Sequence, residues 1–190
     1  VPEFGIFAEL DWIETPLGIV YVASRRVGDD VWVRMGEWIA PNRRVVPAHP
    51  SFPPRYPKGK SEVYIPPKFT SWSVPIDDTN TLSFDIMHVP EDKKLPAIAT
   101  NEGTIMRRPR TYEDRQRHPG DYEAQSSQRS IAIHGLEHLG ATDRGITILR
   151  KKIRENIRAL MKGQDPDGVY PIEAQLGNVI PTYSGDTVLN

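Results

Sequence analysis

One stretch of the chain limits its fold more than any other. Between about Asp143 and Met161, Ile146, Leu149, Ile153, Ile157 and Leu160 recur at three- and four-residue spacing, while Arg150, Lys151, Lys152, Arg154 and Arg158 occupy other positions. That period lays a single apolar stripe along a long helix, and such a stripe has to be covered by another layer. Thr142 or Asp143 is suited to cap the helix start, and Gly163 to end it. What precedes the helix is mostly strand-like, so the chain is expected to be α+β, with the helix packed on one face of an antiparallel sheet.

The strands are read from alternation and turn signals. Val1 to Arg26 reads as two antiparallel strands broken at Thr15-Pro16-Leu17-Gly18, and Val31 to Ile39 as a third, with Val31, Val33 and Met35 on one face and Trp32 opposite. Pro41 to Pro67 is punctuated by prolines and is expected to be a long surface or pocket-rim loop carrying His49. Phe69 to Ile76 and Thr81 to Val89 form a hairpin, ending near His88. Asp77-Asp78-Thr79-Asn80 is its turn, where Asp is explained by side-chain to backbone bonding rather than by a metal. Glu91 to Glu113 shows no period. The segment from Asp165 to Asn190 is expected to lie extended on the surface with a frayed end, giving a main portion 1–163 and a C-terminal tail 164–190.

At 190 residues the chain has the size of one domain. A formal net charge of −1 gives no basic face for nucleic acid, and the local run Arg107-Arg108-Pro109-Arg110 reads as a solvated loop. The absence of cysteine excludes a disulfide framework, a thiolate zinc site and any iron–sulfur cluster held by this chain. No apolar run has the length of a membrane span and no signal peptide precedes the first strand, so no membrane partner and a cytoplasmic location are expected. A start at Val1 suggests a fragment, a processed chain or part of a longer one.

Potential metal ligands crowd into residues 112–154, where Asp121, Glu123, His134, Glu137, His138 and Asp143 all fall. Pro119-Gly120 predicts a helix starting near Asp121, for which the carboxylate suits the positive helix end. Read from the residues alone, Asp121 is a cap candidate. His134 and His138 would share a helix face at i and i+4, but Gly135 and Gly140 weaken any helix there, and packed histidines are favoured.

The run GDYEAQSSQRSIAIHGLEHLGATDRGITILR resembles the C-terminal end of the catalytic domain of Rieske non-haem iron aromatic ring-hydroxylating oxygenase α subunits, in the phthalate dioxygenase and aromatic O-demethylase branch. Asp121-Tyr122, Glu137-His138-Leu139-Gly140 and Thr142-Asp143-Arg144-Gly145 carry the likeness, and Trp72-Ser73-Val74-Pro75-Ile76-Asp77-Asp78-Thr79 is similar to a strand and turn of the same domain. The resemblance implies a helix-grip (START/Bet v 1-like) sheet on a long C-terminal helix and an Fe(II) site whose carboxylate is Asp121. It also implies a homo-oligomer, a trimer, in the complete protein, with electrons reaching O2 chemistry from NADH through a reductase or ferredoxin. The substrate would be an aromatic compound that is hydroxylated or O-demethylated.

The family's two iron histidines come from a D-x-x-H-x(4,5)-H segment upstream, and no such pair occurs in this sequence. The Asp that passes electrons between subunits and the [2Fe-2S] domain are missing as well. Two other classes stay open: a metal-free helix-grip ligand-binding module, and a hydrolytic metal site built on His134 and His138. No catalytic residue other than the metal candidate Asp121 is assigned. Gln125 and Gln128 are placed one turn further on, facing a cavity or solvent.

Overall fold

The computed structural model describes residues 2–89, 100–101, 104–105, 111–169 and 182–190. They divide into two compact units, Val1–Val74 with Leu82–His88 and Leu139–Asn190, and Pro75–Thr81 with Val89–His138. In chain order the elements are a 3-10 turn at Pro2–Gly5, then β1 (Glu9–Thr15), β2 (Gly18–Val27), β3 (Asp30–Ile39), β4 (Arg43–Pro47), β5 (Glu62–Ile65), β6 (Pro67–Pro75) and β7 (Thr81–Met87). After them come the two-residue strands β8 (Thr100–Asn101) and β9 (Thr104–Ile105), α1 (Tyr112–Arg117), α2 (Asp121–Ser126), α3 (Arg144–Met161) and β10 (Gly185–Leu189). Eight strands make one antiparallel sheet in the order β1-β2-β3-β4-β6-β7, with β10 paired to both β3 and β5. An antiparallel sheet with one long helix is the expected α+β class. No helix among the described residues is long and apolar enough to cross a membrane.

The sheet is organised at a fork on β3. One edge of β3 pairs with β4 through Glu37–Ile39 and with β10 through Val31–Met35. At the fork, Ser184 Oγ lies 3.1 Å from both the Met35 and Val45 carbonyls and donates there, and Glu37 Oε2 accepts from Thr182 Oγ1 at 2.8 Å. The segment expected as a frayed surface tail therefore ends, over Gly185–Leu189, as a strand inside the sheet, with Val188 fully buried. Five residues with one alternation carry too little period to announce a strand, and their partners on β3 and β5 all lie far away in the sequence.

The proline-rich stretch is also corrected. Pro41 precedes β4 and Pro47 is its last residue, so neither interrupts it and Arg43–Val46 keep their ladder amides. β4 lies between β3 and β6 with Val45 buried, and the register slips only at Val46/Pro47. Strand β5 (Glu62–Ile65), paired with β10, also falls inside the expected Pro41–Pro67 loop, so only residues 48–61 of it hold no strand. The run Arg107–Arg110 and residues 170–181 of the tail lie outside the described residues.

Trp32, fully buried on β3, is the centre of the core. Its ring meets Phe4 edge-on at 5.1 Å and Phe52 at 5.6 Å, and its Nε1 donates to Asp186 Oδ1 at 2.7 Å. Arg34 reaches the same carboxylate at 3.4 Å while donating to the Pro47 and Ala48 carbonyls, and the guanidinium of Arg25 stacks on the Trp32 ring at 5.1 Å. Burial pushes the Asp186 carboxyl up to about 6; the Trp32 hydrogen bond and the Arg34 and Arg25 charges only partly offset it.

Helix α3 caps and stops as the residues foretell at its far end, where Gly163 takes φ +69° and Gln164 N donates to Ala159 O at 2.9 Å. Its contact face differs from expectation. The side of α3 turned to the sheet carries buried Gly145 and Lys152, whereas Ile146, Ile153, Ile157 and Leu160 of the predicted stripe remain substantially exposed. Gly145 sits directly against the Trp12 ring of β1, in space that any Cβ would invade. Lys152 Nζ, 8% exposed with its residue, reaches Asp167 Oδ2 at 3.0 Å, Thr15 O at 3.5 Å and Glu14 Oε2 at 3.7 Å. The helix thus docks through a glycine and a paired lysine, which an apolar-period reading passes over.

Two measurements test this packing. Gly145→Ala should lower stability by about 1–3 kcal/mol by overpacking against Trp12, and most of that loss should vanish in a Trp12→Ala background. For Asp186, the raised pKa means that its stabilising effect is complete below the unfolded value of 3.8 and lost as pH rises through about 6. Relative to the wild-type chain, Asp186→Asn should therefore gain stability between pH 4 and pH 7.5, by an amount on the order of 3 kcal/mol. Urea midpoints at the two pH values provide the comparison, and a pH-independent difference would contradict the assignment.

Candidate metal centre

The second unit holds most of the clustered donors. Helix α1 is capped by Thr111, whose Oγ1 accepts from Asp114 N at 3.2 Å. The chain then turns through His118-Pro119-Gly120, and α2 begins at Asp121, as the Pro-Gly signal predicts. Gly120 occupies the cap position and has no side chain to offer, so the start is closed from inside the helix. Glu123 Oε2 accepts from Gly120 N at 2.7 Å, and its other oxygen lies 3.9 Å from Arg115 Nε on α1. Glu123 is thereby engaged by the α1–α2 turn. Asp121 is the first residue inside α2; its side chain lies outside what the structure describes.

The two histidines do not come onto one helix face. His134–Leu136 is a single 3-10 turn, and Glu137 is already extended at φ −81°, ψ 141°, so the i, i+4 stacking that an α-helix would provide is not made by this backbone. Both imidazoles lie at exposed positions, as do Gln125 and Gln128. In the first unit Asp143 stands at the α3 cap position without capping it. Its Oδ2 instead accepts from Gly140 N at 2.9 Å, closing the 3-10 turn Ala141–Asp143 ahead of the helix. The likeness over Thr142–Gly145 therefore covers the end of the 3-10 turn Ala141–Asp143 that leads into α3.

Asp77 behaves as a turn residue. Its Oδ1 accepts from Thr79 N and Asn80 N, both at 2.8 Å, and from the side chains of both residues. The Thr79 amide, followed by the Asn80 side chain, holds its carboxyl below the ordinary carboxylate range. His88, beyond the second strand of that hairpin, bonds Thr70 Oγ1 through Nε2 at 3.0 Å, and His49 sits edge-on to Phe4 at 6.1 Å. Among the described residues no group of three His, Asp or Glu side chains converges as a metal ion needs. The donors of this chain do not fit a complete iron site, since a two-histidine, one-carboxylate set requires two imidazoles that its described residues do not bring together.

No family model matches the chain. It is similar to the tert-butanol monooxygenase / tert-amyl alcohol desaturase oxygenase subunit of Aquincola tertiaricarbonis, 32% identical over 98% of this chain and 40% of that protein. It is also similar to the phenoxybenzoate dioxygenase subunit alpha of Ectopseudomonas oleovorans, 27% identical over 90% of this chain and 39% of that protein. The homologues are thus oxygenase subunits, and the chain spans about 40% of the length of the curated relatives it matches.

The local claim about α2 is testable. Glu123→Ala removes the acceptor of the Gly120 amide, so hydrogen exchange there should quicken by about three- to tenfold, the effect of one net hydrogen bond. Unchanged exchange would show that another group closes the helix start.

Proposed function

We propose that this chain is the catalytic-domain portion of a Rieske-type oxygenase that uses O2 and NADH-derived electrons at a mononuclear Fe(II). The observation that carries the reading is the similarity to two oxygenase subunits along nearly the whole chain. The motif order Asp121-Tyr122, Glu137–Gly140 and Thr142–Gly145 supports the Rieske class and its aromatic-oxygenase branch. The eight-stranded sheet with α3 against β1 and β2 supports a helix-grip architecture, taken over residues 1–163 together with β10 of the C-terminal segment 164–190.

Asp121 is the residue proposed to ligate the iron. Supporting this, Gly120 holds the cap position and Glu123 closes the α2 start, so the helix does not depend on the Asp121 carboxylate as its cap oxygen. The two imidazoles would come from polypeptide outside this chain, as would the [2Fe-2S] cluster, and the electron donor would be a reductase or ferredoxin. With that set incomplete, no catalytic step is assigned to the residues present. The proposed assembly is a homotrimer and the proposed substrate an aromatic compound, hydroxylated or O-demethylated. A second substrate class, a small tertiary alcohol, is favoured by the relative named for tert-butanol.

In the complete oxygenase, Asp121→Ala should abolish iron retention and turnover while leaving the cluster absorbance unchanged, because the cluster belongs to another domain. Iron analysis and activity of the purified variant decide it. The 190-residue chain by itself should hold iron only weakly, one carboxylate being a poor site for ferrous ion. A variant that keeps its iron and activity would falsify the ligand assignment.

A further inference from the structure

The 3-10 turn Pro2–Gly5 and Ile6 after it lie as a strap across the Trp32 cluster. Phe4 is its anchor: the ring meets Trp32 edge-on at 5.1 Å, and the guanidinium carbons of Arg25 and Arg34 each stand 5.3 Å from its centroid. Arg25 fastens the strap a second time, since its Nε donates to Ile6 O at 3.0 Å. The backbone bond from Ile6 N to Glu3 O ties the strap to itself rather than to the sheet, and Phe4 is 43% exposed. A segment held by a few side-chain contacts is the kind that opens locally while the rest of the fold stays closed.

Beneath the strap, two complementary groups are buried without a hydrogen-bond partner among the described residues, Arg25 Nη1 and Asp186 Oδ2. They share one face of the sheet, because Arg25 stands opposite Trp32 in register and Asp186 opposite Arg34. Both also touch the same indole: Arg25 stacks on the Trp32 ring at 5.1 Å, and Asp186 accepts its N–H. The other groups facing the carboxyl are Arg34 of β3, at 3.4 Å, and the uncharged Ile65 of β5. Around Phe4 the titratable set is completed by Glu3 of the strap itself and by His49 of the loop after β4. Burial first, then the Arg34 and Lys68 charges, lower the His49 pKa.

We propose that the strap Pro2–Ile6 is a proton-linked cover, docked while Asp186 is neutral and released when that carboxyl ionises. Release takes Phe4 off the cluster, admits water to Asp186 Oδ2 and frees Arg25 from Ile6 O to donate there. The open form therefore stabilises the carboxylate more than the docked form does. Asp186 stands at about 6 when covered and falls toward its ordinary value of 3.8 when uncovered, so the docked form binds the proton more tightly and prevails at low pH. The ratio of released to docked strap should then rise by about five- to tenfold between pH 5 and pH 7.5. This goes beyond the oxygenase reading and depends neither on it nor on Asp121.

The test replaces Phe4 by 4-fluorophenylalanine in the full polypeptide, giving a fluorine signal that separates a ring held against Trp32 from one in water. The signal should move toward its solvent value as pH rises and level off above about pH 7. Asp186→Asn should keep it at the docked value throughout, and Arg25→Met, which removes the Ile6 bond, should shift it toward the solvent value at every pH. His49→Gln should leave the pH response in place. The same label at Phe52, which meets Trp32 at 5.6 Å without belonging to the strap, should stay put. A Phe4 signal that does not move between pH 5 and pH 7.5, a response that survives Asp186→Asn, or one lost in His49→Gln overturns the proposal. Movement of the Phe52 label together with Phe4 also overturns it, since the core itself would then be loosening. If Asp186→Asn does not fold, Arg25→Met and His49→Gln decide.

Discussion

The hydrogen bond from Trp32 to Asp186 joins residues 154 positions apart in an interior that admits few polar groups. An indole N–H buried without an acceptor, or a carboxylate buried without donors, would each cost more than the bond contributes in water, so the two define each other's place. Much of the first unit follows from this pair. Strand β10 must lie against β3 for the bond to form, the fork in the sheet then needs Ser184 and Glu37 to satisfy its groups, and Arg34 carries the constraint outward to the Pro47-Ala48 backbone. The elevated pKa of Asp186 reflects burial that its partners only partly offset, and among the described residues its Oδ2 has no hydrogen-bond partner.

What could be seen in the chain before folding was whatever is local. The hairpin turn at Asp77, the break at Thr15–Gly18, the alternation about Trp32 and the helix stop at Gly163 all rest on neighbours within a few residues, and they stand where expected. Strands β4 and β10 were hidden for opposite reasons. Prolines at the borders of β4 looked like interruptions, and β10 is short, polar at Asp186 and Thr187, and stabilised only by distant strands. The docking face of α3 was missed because periodicity counts apolar side chains, while the contact is made by an absent side chain at Gly145 and by the aliphatic stem and paired charge of Lys152.

The Gly145 contact also gives a physical content to one motif that had been recognised only by likeness. In Thr142-Asp143-Arg144-Gly145, Asp143 closes the 3-10 turn onto Gly140 and Gly145 lets the first turn of α3 approach the Trp12 ring. These residues set the path by which the chain enters the helix.

The candidate metal centre was less accessible than the fold because its donor set is not a local property. A carboxylate at the start of a short helix has an ordinary explanation as a cap, and only the arrangement around it can weigh against that. Here the arrangement does so through Glu123, whose carboxylate accepts the Gly120 amide and leans on Arg115, so that the start of α2 is closed two residues beyond Asp121. A two-histidine, one-carboxylate set is assembled from segments far apart in sequence, so the iron chemistry proposed above belongs to the longer polypeptide and could not be read from any one local run of this chain.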